Sequence, residues 1–184
     1  MAGIIAATAA LIATQTPSAA PSQARLDEIW AHVDNRVVNQ VDLLFEDGEF
    51  PTATSILKVQ YAYEPHNYDT MTNLGWMLEN IEKLSEAREI YKTYIREHPN
   101  DANATMALGY SYYIKREYKE AIETLEPSLE RLPTGNSYII LAKAYERLND
   151  FKNALRVWEA QAKRFPGGAV DANIKRVKAK LKGG

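Results

Sequence analysis

Apolar side chains recur at three- and four-residue steps along most of the chain, the spacing that gathers them on one face of a helix. Met71, Leu74, Gly75 and Leu78 form one such stripe. Upstream, Leu26, Ile29, Trp30, Val33, Val37, Val41, Leu44 and Phe45 keep the same period, which predicts a first helix that begins near Arg25 and is longer than the others. Downstream, Val170, Ile174, Val177 and Leu181 make a single stripe on a segment otherwise rich in charge, with Lys175, Arg176, Lys178, Lys180 and Lys182. The pattern predicts helices throughout and a last helix with only one apolar face.

The helical pattern itself repeats. Pro65, Pro99, Pro133 and Pro166 are 34, 34 and 33 residues apart, and an alanine precedes each by twelve: Ala53, Ala87, Ala121 and Ala154. Four residues after each alanine comes a large side chain, Leu57, Tyr91, Leu125 or Trp158. Between these markers fall Leu74-Gly75, Leu108-Gly109 and Leu141-Ala142, each followed three residues on by Leu78, Tyr112 or Tyr145. Small residues permit the close backbone approach that ridge-into-groove helix packing needs, and proline ends a helix because it cannot continue the hydrogen-bond ladder. Asn67, Asp101 and Asn136 are suited to cap the helices that follow. Turns are expected at Glu46, Asp47, Gly48 and Glu49 and at Leu148, Asn149 and Asp150.

These residues resemble the tetratricopeptide repeat family, whose pattern sets Leu-Gly and Tyr on a first helix, Ala and an aromatic on a second, and Pro at the exit. The resemblance implies an all-α fold, a right-handed α-solenoid of about four helix-turn-helix repeats with a C-terminal capping helix. The units are expected at 34–67, 68–101, 102–134 and 135–168 within a solenoid spanning 25–168, with 169–184 as cap and tail. The first unit departs, with Gln40-Val41 in place of Leu-Gly, and the fourth has Ala142 for Gly.

The total of 22 basic and 24 acidic residues gives a net charge of −2, which argues against nucleic-acid binding through bulk charge. The balance conceals a gradient. From 26 to 135 there are 10 basic and 20 acidic residues, net −10, and from 136 to 184 there are 11 basic and 4 acidic, net +7. The absence of cysteine excludes disulfides, thiolate metal sites and a Cys nucleophile.

The first 24 residues carry no charged side chain, and the apolar run from Gly3 to Ala13 is too short for a stable membrane span. It has the size of a signal-peptide core, with small residues placed for cleavage after Ala24 or, less favourably, after Ala20, where Pro21 would follow the cut. Export to a periplasm, cell envelope or extracellular space is the expectation, against a cytoplasmic protein with an Ala-rich tail.

Catalytic chemistry is not indicated. His32, His66 and His98 form no i, i+4 pair and read as separate loop or surface residues, so no metal site, cofactor or catalytic residue is expected. Glu117, Glu120 and Glu123 read as a solvated helix face, and Gly167-Gly168 as a turn.

The resemblance implies a protein- or peptide-binding scaffold in which the first helices of the units line a groove. Stepping off the packing stripe, the groove-facing positions are Asn35, Val38, Asp42, Phe45 and Glu46, then Asp69, Thr72, Trp76, Glu79 and Asn80. The third unit contributes Asn103, Met106, Tyr110, Tyr113 and Ile114, and the fourth Asn136, Ile139, Lys143, Glu146 and Arg147. Among these, Asp42, Glu46, Asp69, Thr72, Trp76, Asn103, Met106, Tyr110, Tyr113, Asn136, Lys143 and Arg147 are the candidate binding residues. Trp76 and Tyr110 either anchor a partner or lie buried between repeats, and the asparagines either hold a peptide backbone or cap helices. A carboxylate clamp is not expected, because Thr72 and Trp76 stand at its places. The alternative function is a self-assembling structural subunit joined through its acidic first repeat and basic last helix, a homo-oligomer.

Overall fold

Short polar side chains set the starts of the helices. Asn67 accepts backbone N–H bonds from Asp69 (2.9 Å) and Thr70 (3.1 Å), and Asp101 accepts them from Asn103 (2.9 Å) and Ala104 (3.3 Å). The third such start departs from expectation: Thr134, not Asn136, is the cap, and it forms a reciprocal capping box with Ser137. Asn136 lies one residue inside the helix, past the point where its side chain could turn back on the open N–H groups.

The computed structural model describes residues 22–131 and 133–183. Among them nine α-helices run in order: α1 Gln23–Glu46, α2 Phe50–Tyr63, α3 Tyr68–Asn80, α4 Leu84–Glu97, α5 Ala102–Ile114, α6 Tyr118–Leu125, α7 Gly135–Arg147, α8 Phe151–Arg164 and α9 Gly168–Gly183. A 3₁₀ turn, Glu126–Glu130, extends α6; Pro127 in its first turn lacks the N–H that would continue the α-ladder. No strand occurs among the described residues. The candidate leader lies outside them as far as Pro21, and the cut expected after Ala24 falls in the first turn of α1.

Two compact units divide the chain between Val38 and Asn39. In the first, the described residues after Ser22 belong to α1, and none of them is buried: Ile29 and Val33, one turn apart, are exposed. The apolar period there forms a helix without forming a core.

In the second unit the small residues of the repeat are the contact points. Ala53, Ala87, Ala121 and Ala154 are fully buried, and so, nearly, are the large residues four positions on. A Cβ added to Gly109 would come within 2.5 Å of the Leu125 side chain, so α5 and α6 approach more closely than alanine allows. Two hydrophobic clusters result. One joins Leu57, Met71, Leu74, Leu78, Tyr91 and Leu108; the other joins Leu125, Leu141, Val157, Trp158 and Val177.

The turns inside the units share a geometry that their sequences do not. Gly48, Glu82, Arg116 and Asn149 all have positive φ, at 77°, 59°, 64° and 60°. Just after each, a backbone N–H reaches back five residues: Glu49 to Leu44 (2.7 Å), Lys83 to Leu78 (2.8 Å), Glu117 to Tyr112 (3.0 Å) and Asp150 to Tyr145 (2.9 Å). This satisfies the last carbonyls of each first helix.

The last helix covers the end of the stack. Val170, Ile174 and Val177 dock on the second cluster, but Leu181, expected to complete that stripe, remains exposed beyond it. Charge fastens the rest: Arg176 binds Glu146 of α7 through both terminal guanidinium nitrogens, Lys178 pairs with Glu159 of α8 (2.9 Å), and Lys180 sits 4.9 Å over the Phe151 ring. Among the described residues no helix is long and apolar enough to cross a membrane.

Candidate functional site

Direct contact of α3 with α5, and of α5 with α7, makes the first helices of successive pairs into one wall. On α3, Met71, Leu74, Gly75 and Leu78 turn into the core, which points the next position, Trp76, away from it. The equivalent step from Gly109 exposes Tyr110. These rings are 46% and 49% exposed, which decides between the two readings of them in favour of surface aromatics. Trp76 is also braced: its ring lies 4.9 Å from Phe45, which meets Phe50 edge-on at 5.3 Å.

Asp42 and Glu46 are exposed on the last turns of α1, and Lys143 and Arg147 on α7. Asp69, Asn103 and Asn136 occupy the same place in α3, α5 and α7, the second helical position, and all three are exposed. Because Asn67, Asp101 and Thr134 do the capping, Asn103 and Asn136 keep their side chains on the surface. Thr72 is half-buried and its hydroxyl donates to the Tyr68 carbonyl (3.0 Å), within its own helix. Asn35 likewise donates to Ala31 O (2.9 Å).

Met106 and Tyr113 are half-buried and pack against the second hydrophobic cluster, so they belong partly to the core. Beside them Tyr113, Lys143, Glu146, Arg147, Arg176 and Lys180 line a basic depression of about 360 Å³. A hydrogen bond with the Tyr113 hydroxyl, more than any other interaction, raises the Arg147 pKa above its usual value. Burial alone would push the Glu146 carboxyl up, but bonds from Arg176 and Trp158 and the nearby positive charge hold it below the usual range.

Glu79 departs from its expected place. It is only 5% exposed, sitting near Ser111 of α5 and Arg88 of α4, and its Oε1 has no hydrogen-bond partner. Lys115 meanwhile bonds the Glu79 carbonyl (3.3 Å) and the Glu82 carboxylate (3.0 Å), and Arg88 bonds Glu117 (2.8 Å). Burial pushes the Glu79 carboxyl up, against the opposing pull of Ser111, Lys115 and Arg88. An acid whose pKa is raised by folding contributes destabilisation that is absent below its unfolded pKa of roughly 4.3 and grows as pH rises through the folded value. Glu79→Gln should therefore gain stability relative to wild type as pH rises from about 4 to 7. Urea midpoints that stay parallel over that range would remove this account.

Two histidines read from spacing as separate residues come together. His66 precedes α3, His98 follows α4, and their facing ring nitrogens are 3.2 Å apart. The period of the repeat was the available signal, since both lie beside exit prolines, but spacing alone did not show that their rings converge.

Residues 44–109 match the family model described as tetratricopeptide repeat, and 82–161 match that described as anaphase-promoting complex, cyclosome, subunit 3. Tetratricopeptide repeat protein 21B of Xenopus laevis is 28% identical over 152 residues, covering 77% of this chain but 12% of that protein. This chain therefore spans a small part of that relative. Among solved structures, a crystal structure of MamA is 21% identical, with 77% of this chain and 84% of that one covered and a TM-score of 0.60. MamA from Desulfovibrio magneticus RS-1, from residue 41 to its end, is 16% identical, with 80% and 85% covered and a TM-score of 0.57. At these identities the likeness to the solved structures is one of fold.

Proposed function

We propose that this chain, whose residues 44–109 match the tetratricopeptide repeat model, holds a protein or peptide segment against the wall made by α3, α5 and α7, without catalysis of its own. Stacked repeats present their first helices as an extended binding surface. The observation that carries the reading is the pair Trp76 and Tyr110, large aromatics left half in water one repeat apart on that wall. Exposed Trp and Tyr are favoured binding anchors because they bury much area while losing little side-chain freedom.

The charges on either side suggest an orientation. Asp42 and Glu46 attract the basic end of an extended segment, Lys143 and Arg147 its acidic end, and the aromatics take apolar side chains between. Head-to-tail association of copies carries less weight, because Arg176 and Lys178 of the basic last helix are already paired with Glu146 and Glu159.

Peptides selected from a random display library on the wild-type chain provide the test. Trp76→Ala and Tyr110→Ala should each weaken their binding by roughly tenfold or more while the melting temperature stays nearly constant. Undiminished affinity, or a stability loss of about 3 kcal/mol, would show that the rings serve the core instead.

A further inference from the structure

His66, Glu97 and His98 converge from two connections that the sequence separates by more than thirty residues. His66 follows Pro65 between α2 and α3, Glu97 ends α4, and His98 is the residue after it. His66 Nδ1 lies 3.2 Å from His98 Nε2 and 3.3 Å from Glu97 Oε2, and one ligating atom from each of the three lies within 4.8 Å of the others.

Hydrogen bonds and ring packing support this cluster on both sides. The His98 backbone N–H donates to Tyr94 O (2.8 Å), and its ring lies on the buried Tyr94 ring at 4.3 Å and 32°. The Tyr94 hydroxyl in turn reaches Asp101 Oδ2 at 3.4 Å. On the other side, Asn67 N–H donates to Glu64 O (3.1 Å) and the Asn67 side chain caps α3, which leaves His66 little freedom in the backbone. The imidazoles meet at 73° with centroids 5.3 Å apart, so their edges converge and their faces do not stack.

Hydrogen bonding serves the arrangement only by sharing a single proton. His66 Nδ1 faces two partners within 3.3 Å and carries at most one proton to offer them. A cation at the centre would satisfy all three groups. Ligands bound at 2.0–2.1 Å on a tetrahedral ion stand about 3.3 Å from one another, the separation found for both His66 contacts. Two imidazoles with one carboxylate are a donor set for zinc and its neighbours; magnesium and calcium prefer all-oxygen shells. The His66 side chain is 66% exposed, so water has access to a fourth position.

We propose that His66, Glu97 and His98 form a three-ligand site for zinc or a similar divalent transition ion, joining the α2–α3 connection to the end of α4. The ion stiffens the seam between neighbouring helix pairs, and the open fourth position accepts water or a donor from a bound molecule.

Titration of the full chain, free of any polyhistidine tag, with zinc chloride at pH 7.5 tests the site. One zinc per chain is expected, with affinity at least about tenfold weaker in His66→Gln and in His98→Gln. Cobalt should give the strong visible bands of a four-coordinate ion, and magnesium should give no heat. Zinc should raise the melting temperature of the wild type and not that of the double variant. Tyr94→Phe, which keeps the ring under His98, should retain binding and guards against reading misfolding as ligand loss. Saturable binding that survives both His→Gln changes, no binding beyond that of the double variant, or a weak six-coordinate cobalt spectrum would overturn the proposal.

Discussion

Trp158→Ala is expected to cost about 3–5 kcal/mol, the largest loss of any single truncation in the second hydrophobic cluster. The ring is 1% exposed on α8 and packs in the cluster that includes Leu141, Val157 and Val177, so its removal leaves a cavity that the neighbouring helices cannot close without moving. It also has a polar role. Trp158 Nε1 donates to Glu146 Oε1 (3.0 Å), the carboxylate that receives Arg176 from α9. Truncation therefore weakens the fastening of the last helix as well as the core beneath it. Because each repeat contacts only its neighbours, the damage should be local. Amide exchange should accelerate first in α8 and α9, with α3 and α4 keeping their protection. Equal loss of protection in α3 and α4, or a urea-measured cost near 1 kcal/mol, would mean that the cluster is neither local nor dependent on this ring.

A second large effect is expected from the opposite operation, adding volume. Gly75→Val should destabilise by about 3 kcal/mol, at the upper end of the usual range for overpacking. Any Cβ at this position would stand 2.4 Å from Tyr91 Cζ and 2.5 Å from its hydroxyl. The ring has little room to retreat, because the buried Leu74, Leu78 and Ala87 belong to the same cluster. Burial, with the Glu79 charge nearby, pushes the Tyr91 hydroxyl pKa well up, as expected of a phenol enclosed in the core. Gly75→Ala is expected to be milder: helix propensity returns about 1 kcal/mol against the clash. Gly168→Ala is the control, since nothing lies within 4 Å of its added Cβ. Thermal or urea unfolding of the three variants should rank Gly75→Val below Gly75→Ala below Gly168→Ala. A Gly75→Val protein as stable as the wild type would mean that α3 and α4 can separate freely.

The repeat, its helix pairs and the identity of its contact points were legible in the sequence because each rests on a constraint that acts locally. Proline ends a helix wherever it falls, and small residues at fixed offsets are where two backbones can meet; Ala53, Ala87, Ala121 and Ala154 are buried for that reason. Counting put Trp76 and Tyr110 one step, about 100°, off the packing stripe but left open whether they were buried between repeats, which their exposure in the folded chain decides. The same counting placed Glu79 in the groove and failed, because a position near the edge of a stripe is exposed or buried according to how closely the next helix approaches. Ser111 and Arg88 come from the neighbouring α5 and α4.

What the tertiary structure alone decided has this common form. Glu82 and Arg116 take the left-handed turn that Gly48 and Asn149 signal by residue type, since helix ends already held by packing impose that geometry on unfavoured residues. Thr134 displaced Asn136 as a cap because the loop after Pro133 sets which residue stands at the helix mouth. His66 and His98 meet because one helix pair is set against the next at an angle, and a spacing of 32 residues specifies how far apart they lie along the chain but not the rotation that turns their rings together. Short-range backbone and steric rules are written in residue type and spacing; the distances between side chains on successive units are products of packing, and only the assembled helices contain them.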